Sequence, residues 1–275
     1  MVRILTARKM RIINKKLKSL SLTQNESNIL SKSVRPKLRE IRKLNADALL
    51  NRLEYNQIGR AIENKIKKIV LKNIRRIQSI IIYGSAIQSN YKNYNDIDAL
   101  IITKNKILGS TGDKYDLIIK LSDIAKSMGL NMDIQIMDKG SFIRNYPNSP
   151  SLIYQLEDHK IIYGKIKIPK KAELSKLDLR MKLDWSDIDD EKSKSNELYQ
   201  SLRNVLLVRL LLKKIVNNEL LNKSVNEKLG ERIIVNLKNN AASKIERKIV
   251  LEYIRSLVER TDKEIMEAKW EKIVL

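Results

Sequence analysis

The sequence predicts an α+β fold, α/β-like at its centre: a mixed β-sheet domain between a basic helical N-terminal region and a C-terminal helical bundle. Three observations predict it. Apolar residues recur at helical spacing up to residue 76. The period then shortens to brief β-branched runs with a helix among them, and beyond Pro169 helical spacing returns. The boundaries follow as 1–76, 77–170 and 171–275.

In the first region, residues 1–20 form a basic arm. From Thr23 on, Leu30, Val34, Leu38 and Ile41 recur at helical spacing, and Pro36 marks a break or the first turn of a new helix. Asn45 and Asp47 have the chemistry of caps for a helix carrying Leu49, Leu50 and Leu53. Ile58, Ile62, Ile66, Ile69 and Ile74 then line one face of a long amphipathic helix. In the second region, strands are expected at 79–83, 96–103, 131–137 and 160–163, with a helix over 115–128. In the third, a charged connector at 184–194 precedes helices at 198–216, 225–237 and 243–267. Its acids, Asp184, Asp187, Asp189, Asp190 and Glu191, read as a solvated linker.

Composition narrows the chemistry. The 275 residues are 43% hydrophobic, enough for a sizeable core. No apolar run reaches the ~20 residues of a membrane span, and no signal-peptide pattern follows the basic start, so a cytoplasmic protein is expected. With no cysteine and one histidine, His159, disulfides, thiolate nucleophiles and multi-histidine zinc sites are excluded. Any metal would have oxygen ligands, which points to Mg²⁺ or Mn²⁺.

The net charge of +23 is uneven: residues 1–76 hold 21 basic and five acidic side chains, a net of +16. That skew points to a polyanion, with RNA the expected partner. Arg3, Arg8, Lys9, Arg11, Lys15, Lys16 and Lys18 are the expected contacts, and an anionic membrane surface is the lesser alternative.

The chemistry sits in the stretch IIYGSAIQSNYKNYNDIDALIIT. Gly84 lacks a Cβ, so the backbone can turn tightly and admit a phosphate. Ser85 adds a hydroxyl and backbone N–H donors. Asp96 and Asp98, two residues apart at the mouth of a strand, project to one face, where their repulsion favours a divalent cation. Asp133 opens a later strand; if that strand lies beside the second, its carboxylate reaches the same place and can act as base.

These residues resemble the DNA polymerase beta superfamily of nucleotidyltransferases, whose pattern is a hydrophobic residue, Gly-Ser, about ten residues, Asp-hydrophobic-Asp and a later acid. The matching positions are Tyr83, Gly84, Ser85, Asp96, Ile97, Asp98 and Asp133. The resemblance covers about 77–168 and implies a mixed-sheet palm. It also implies Mg²⁺ dependence, with Asp96, Asp98 and Asp133 as catalytic and metal-binding residues, and transfer of a nucleoside monophosphate from an NTP with loss of pyrophosphate. Many members carry an arginine three residues after the serine and a glycine next; here Gln88 and Ser89 stand there. Gln88 and Lys92 are the residues left for nucleotide contact on that loop, though a loop lysine is more simply a solvated one.

The acceptor expected from the basic N-terminal quarter is an RNA, such as the 3′ end of a tRNA. The alternatives are a small-molecule or protein nucleotidyltransferase of antibiotic-modifying or toxin type, and a weakly catalytic nucleic-acid-binding protein of the same fold. In relatives the following helical domain shapes the base or acceptor pocket, which makes Tyr199, Arg203 and Arg209 candidates beside a simple packing role. His159 reads as structural. Oligomeric state is not legible.

Overall fold

The computed structural model describes residues 5–18, 20–43, 57–106, 110–169, 171–186 and 193–275. The chain divides into two compact units, 1–55 and 56–275.

The first unit is helical. Thr6 caps α1, Ala7–Leu17, and Thr23 caps α2, Gln24–Ile29, through a reciprocal box with Glu26. α2 runs through a π turn, Leu30–Val34, into α3, Arg35–Lys43. Pro36 is the local cause: it has no N–H for the carbonyl four residues back, and its ring crowds that carbonyl, so the turn before it widens. Ile12, Leu30 and Val34 form the small core. Asn45, Asp47, Leu49, Leu50 and Leu53 lie outside the described residues, as does Arg3.

The second unit opens with α4, Gln57–Asn73. A four-stranded sheet follows, with β1 Ile77–Tyr83, β2 Ile97–Thr103, β3 Met132–Asp138 and β4 His159–Gly164 in the order β3-β2-β1-β4. β1 is antiparallel to β2 and β4, and β2 is parallel to β3. The parallel pair needs a crossover, supplied by α6, Thr111–Ser127, which Ser110 and Asp113 start with a capping box. A single short turn, α5 Ser85–Gln88, follows β1. α7, Lys139–Asn145, and α8, Pro150–Glu157, lead into β4.

Both faces of the sheet are covered, which is why β1 carries three consecutive isoleucines, Ile80, Ile81 and Ile82. Ile80, Ile82, Ile97, Ala99 and Ile101 pack with Ile62, Ile66 and Ile69 of α4 and Leu121 of α6. The helix placed with the basic region by its sequence thus supplies core to the sheet. Ile81, Tyr83, Leu100 and Ile102 face the other way, against Phe142 and Leu156.

Beyond the sheet, α9 Lys176–Asp184, α10 Ser195–Leu212, α11 Asn218–Leu229, α12 Glu231–Lys238 and α13 Lys244–Glu267 enclose a second core around Leu202, Val205, Leu211 and Ile254. Two expectations are corrected here. The helix read at 225–237 is two helices, because Gly230 takes φ +80°, ψ 149° and breaks the axis. A two-stranded sheet of β5 Glu173–Ser175 and β6 Lys272–Val274 was not anticipated; three-residue strands carry too little periodicity to read. Asp187, Asp189, Asp190 and Glu191 of the connector lie outside the described residues. Among the described residues no helix is long and apolar enough to cross a membrane.

Candidate active site

Strand register assembles the site. Tyr83 ends β1 opposite Asp98 of β2, and Asp98 stands opposite Asp133 of β3. Directly paired residues share a face, so Tyr83, Asp98 and Asp133 form a row across one end of the sheet. Asp96 sits one residue before β2, so it comes to the site from the loop rather than from the pleat.

Gly84 occupies φ +71°, ψ −154°, a region open to glycine. A Cβ there would lie 2.1 Å from Oδ2 of Asp98, so the backbone lies directly against that carboxylate. Burial, with repulsion from Asp96 and Asp133, pushes the Asp98 carboxyl up to about 7; the Arg203 guanidinium pulls the other way. Burial, reinforced by the same acids, raises the Tyr83 phenol well above its ordinary value, and its buried hydroxyl has no hydrogen-bond partner among the described residues.

These residues form one side of a cleft of about 750 Å³. Gly84, Ser85, Gln88, Asp96, Asp98 and Asp133 all line it; Lys92 is exposed and does not. Gln88 faces the cleft but donates to Asp158 Oδ2 at 3.2 Å. The opposite side comes from the helical bundle, with Lys182 of α9, Tyr199 and Arg203 of α10, Asn218 and Asn222 of α11 and Lys238 of α12.

The Lys182 amine has no hydrogen-bond or ion-pair partner among the described residues, and burial beside Arg203 pulls it down to about 8. Two neighbouring cations make an anion-attracting wall. Lys238 lies 4.8 Å from the Tyr199 ring centre.

Of the sequence candidates in the bundle, Tyr199 and Arg203 reach the cleft. Arg209 is instead paired with Glu264 at 3.3 Å and with Thr261 at 3.1 Å. His159 hydrogen-bonds through Nδ1 to the Leu156 carbonyl. Lys182 was missed, because a lysine among the charged positions of a helix carries no signal of its own.

The donor set suits a hard divalent cation: carboxylate oxygens, one of them half-buried at a cost that a cation would relieve. Among the described residues no three acidic or histidine side chains stand close enough to enclose an ion unaided.

On the basic arm, Lys15 pairs with Glu26 at 3.0 Å and Lys9 donates to Ser33 Oγ at 2.6 Å. Arg8, Arg11, Lys16 and Lys18 are exposed.

Residues 64–159 match the family model described as polymerase beta nucleotidyltransferase, a span that contains the whole acidic row and the Gly84-Ser85 turn. This segment is a polymerase beta-type nucleotidyltransferase domain. The nucleotidyltransferase fold extends into the bundle. The spectinomycin adenyltransferase AAD(9) from Enterococcus faecialis, solved with ATP and spectinomycin, is 19% identical over 73% of this chain and 99% of that one, with a TM-score of 0.51. Tri-AMPylated HEPN toxin in complex with MNT antitoxin, from Shewanella oneidensis, gives 25% identity over 39% of this chain and 74% of that one, with a TM-score of 0.27. No curated protein matches the sequence. The chain is accordingly a nucleotidyltransferase.

Proposed function

We propose that this nucleotidyltransferase moves a nucleoside monophosphate from an NTP to a hydroxyl of a small acceptor molecule in the cleft, releasing pyrophosphate. One observation carries the reading: an acidic wall and a cationic wall face one cleft of about 750 Å³. That volume is of small-molecule size, which runs to roughly 300–1,000 Å³. AAD(9), whose fold the chain shares, was solved with ATP and spectinomycin, which agrees with a small acceptor.

Asp96 and Asp98 would hold Mg²⁺ or Mn²⁺ together with phosphate oxygens of the nucleotide. When bound, the cation offsets charge developing on the α-phosphate and the departing pyrophosphate. Gly84 leaves room for the phosphate chain, and Ser85 offers its hydroxyl and amide. Lys182 and Arg203 take the outer phosphates from the opposite wall, supplying the charge that Gln88 does not. Asp133, the exposed acid of the row, accepts the proton as the acceptor oxygen bonds to the α-phosphorus and the bond to the bridging oxygen breaks.

The test is incubation with each NTP labelled at the α-phosphate, in Mg²⁺ or Mn²⁺, with a small-molecule extract and separately with total RNA. Metal-dependent label in a low-mass product that disappears with Asp98→Asn is expected. No label transfer under either metal overturns the reading.

The four exposed cations of α1 and its C-terminal cap favour a second reading, in which RNA is the acceptor. Label confined to RNA would select it. Alanine at Arg8, Arg11, Lys16 and Lys18 would then flatten the salt dependence of RNA binding by about 0.7 in slope for each phosphate no longer neutralised.

A further inference from the structure

The loop between Gly84 and Asp96 carries both the phosphate-facing turn and the first carboxylate, yet its shape is fixed from outside the site. At its centre Tyr91 is buried, and its hydroxyl donates to Oε1 of Glu63 on α4 at 2.9 Å. The same oxygen accepts from Lys160 Nζ of β4 at 2.7 Å. Glu63 is only 7% exposed, so this carboxylate depends on those two donors.

Around Tyr91 the backbone is held in an uncommon shape. Asn90 and Tyr91 have φ of +50° and +60°, consecutive left-handed positions without a glycine. Such a conformation persists when its surroundings over-determine it. Here Tyr91 N donates to the Ala86 carbonyl at 2.7 Å, and Ser89 Oγ donates to the Ser85 carbonyl at 2.7 Å and accepts from Asn93 N at 3.2 Å. The Tyr94 ring meets Tyr91 edge-on at 6.3 Å. The buried phenol thus ties the turn after Ser85 to the segment before Asp96 and moors both on a helix that holds none of the site's own residues.

We propose that Glu63, Tyr91 and Lys160 form a mooring that sets the relative placement of Ser85 and Asp96 for nucleotidyl transfer. Tyr91 and Glu63 are positioning residues: they touch no reacting atom. The proposal rests on the transferase reading above, and the two fail separately. A wild-type protein without transfer sinks that reading, whereas a mooring variant that transfers normally sinks this one.

Two variants test it, Tyr91→Phe, which removes only the hydroxyl, and Glu63→Gln, which keeps an acceptor oxygen for Tyr91. Steady-state transfer, melting temperature and amide exchange over residues 85–96 are measured on the full chain. For Tyr91→Phe, kcat/KM for the NTP should fall about 10- to 100-fold, the scale set by small misplacements of reacting groups. The KM for the acceptor should stay within about twofold, because none of Glu63, Tyr91 and Lys160 lines the cleft. Exchange of the loop amides should quicken while those of β2 and β3 hold. Glu63→Gln should retain more activity than Tyr91→Phe, since the hydrogen bond survives. Transfer within about twofold of wild type in a folded Tyr91→Phe protein, or unchanged loop exchange, overturns the proposal. If Tyr91→Phe does not fold, Glu63→Ala, which leaves the phenol without its acceptor, decides through loop exchange and kcat/KM for the NTP: both altered supports the mooring, either one unaltered overturns it.

Discussion

The two walls of the cleft reach the same place by opposite routes. The sheet wall is local. Tyr83, Gly84, Ser85, Asp96 and Asp98 fall within sixteen positions of sequence, and strand register brings Asp133 beside them. The bundle wall is gathered from four helices, Lys182 from α9, Arg203 from α10, Asn218 from α11 and Lys238 from α12, whose placement depends on the packing of a separate core. Each wall is crowded with charge of one sign, and a wall of that kind is a cost to the folded protein while nothing is bound. The nucleoside triphosphate and divalent cation proposed above would meet both needs at once, bringing positive charge to the acids and negative charge to the lysine and arginine. The difference teaches that half of a charged site can be written as a motif while the half that balances it is written only in the fold.

The largest expected effects fall on the sheet wall. Asp98→Asn removes a carboxylate proposed to hold the cation and should lower kcat by about 10³-fold or more. Because Asp98 is half-buried and repelled by two neighbours, the same change should raise the melting temperature of the cation-free protein by about 2–5 °C. Loss of activity with a fall in melting temperature would mean that Asp98 serves the fold instead. Gly84→Ala comes next. Its Cβ would meet Oδ2 of Asp98 at 2.1 Å and strain φ at +71°, so the carboxylate must move, and transfer should fall by about 10²-fold or more. An alanine variant with wild-type kinetics would show that the close approach of Gly84 and Asp98 has no part in the reaction.

What could be read in advance follows the same division. The four main strands and the acidic row were legible because strand periodicity, a Gly-Ser turn and an Asp-x-Asp pair are local patterns. Asp133 was legible as a candidate, but its nearness depended on a parallel β2–β3 pairing that spacing alone does not dictate. Lys182 was illegible because nothing in a helical lysine marks burial without a counter-ion. Gln88 is subtler: its position after Ser85 suggested nucleotide contact, and its hydrogen bond to Asp158 is made with a residue seventy positions away. The break at Gly230 could have been suspected from the glycine itself, yet an isolated glycine within an apolar helical pattern is tolerated often enough to pass.

On the bundle wall the effects should be smaller and of another kind. Arg203→Met removes a cation proposed to take the phosphates, and KM for the NTP should rise about 10- to 100-fold with a lesser change in kcat. A change confined to kcat would place Arg203 at the reacting centre and erase the distinction between the walls.

The mildest prediction concerns acid–base behaviour and separates the walls most sharply. Lys182 titrates near 8 in the free protein, lowered by burial and by Arg203. Its cationic form is the one that attracts phosphate, so kcat/KM for the NTP, which reports groups of the free enzyme, should decline as pH rises through about 8. In the complex the phosphates favour the charged amine and raise its pKa, so kcat should stay level to higher pH. The sign for stability is opposite: between about 8 and the ordinary lysine value of 10.5 the unfolded chain binds the extra proton, so the ligand-free fold gains stability as pH rises across that window. Lys182→Met should remove both the decline in kcat/KM and the gain in stability. An alkaline decline that persists in Lys182→Met would assign the titration to another group and leave the cationic wall without its lysine.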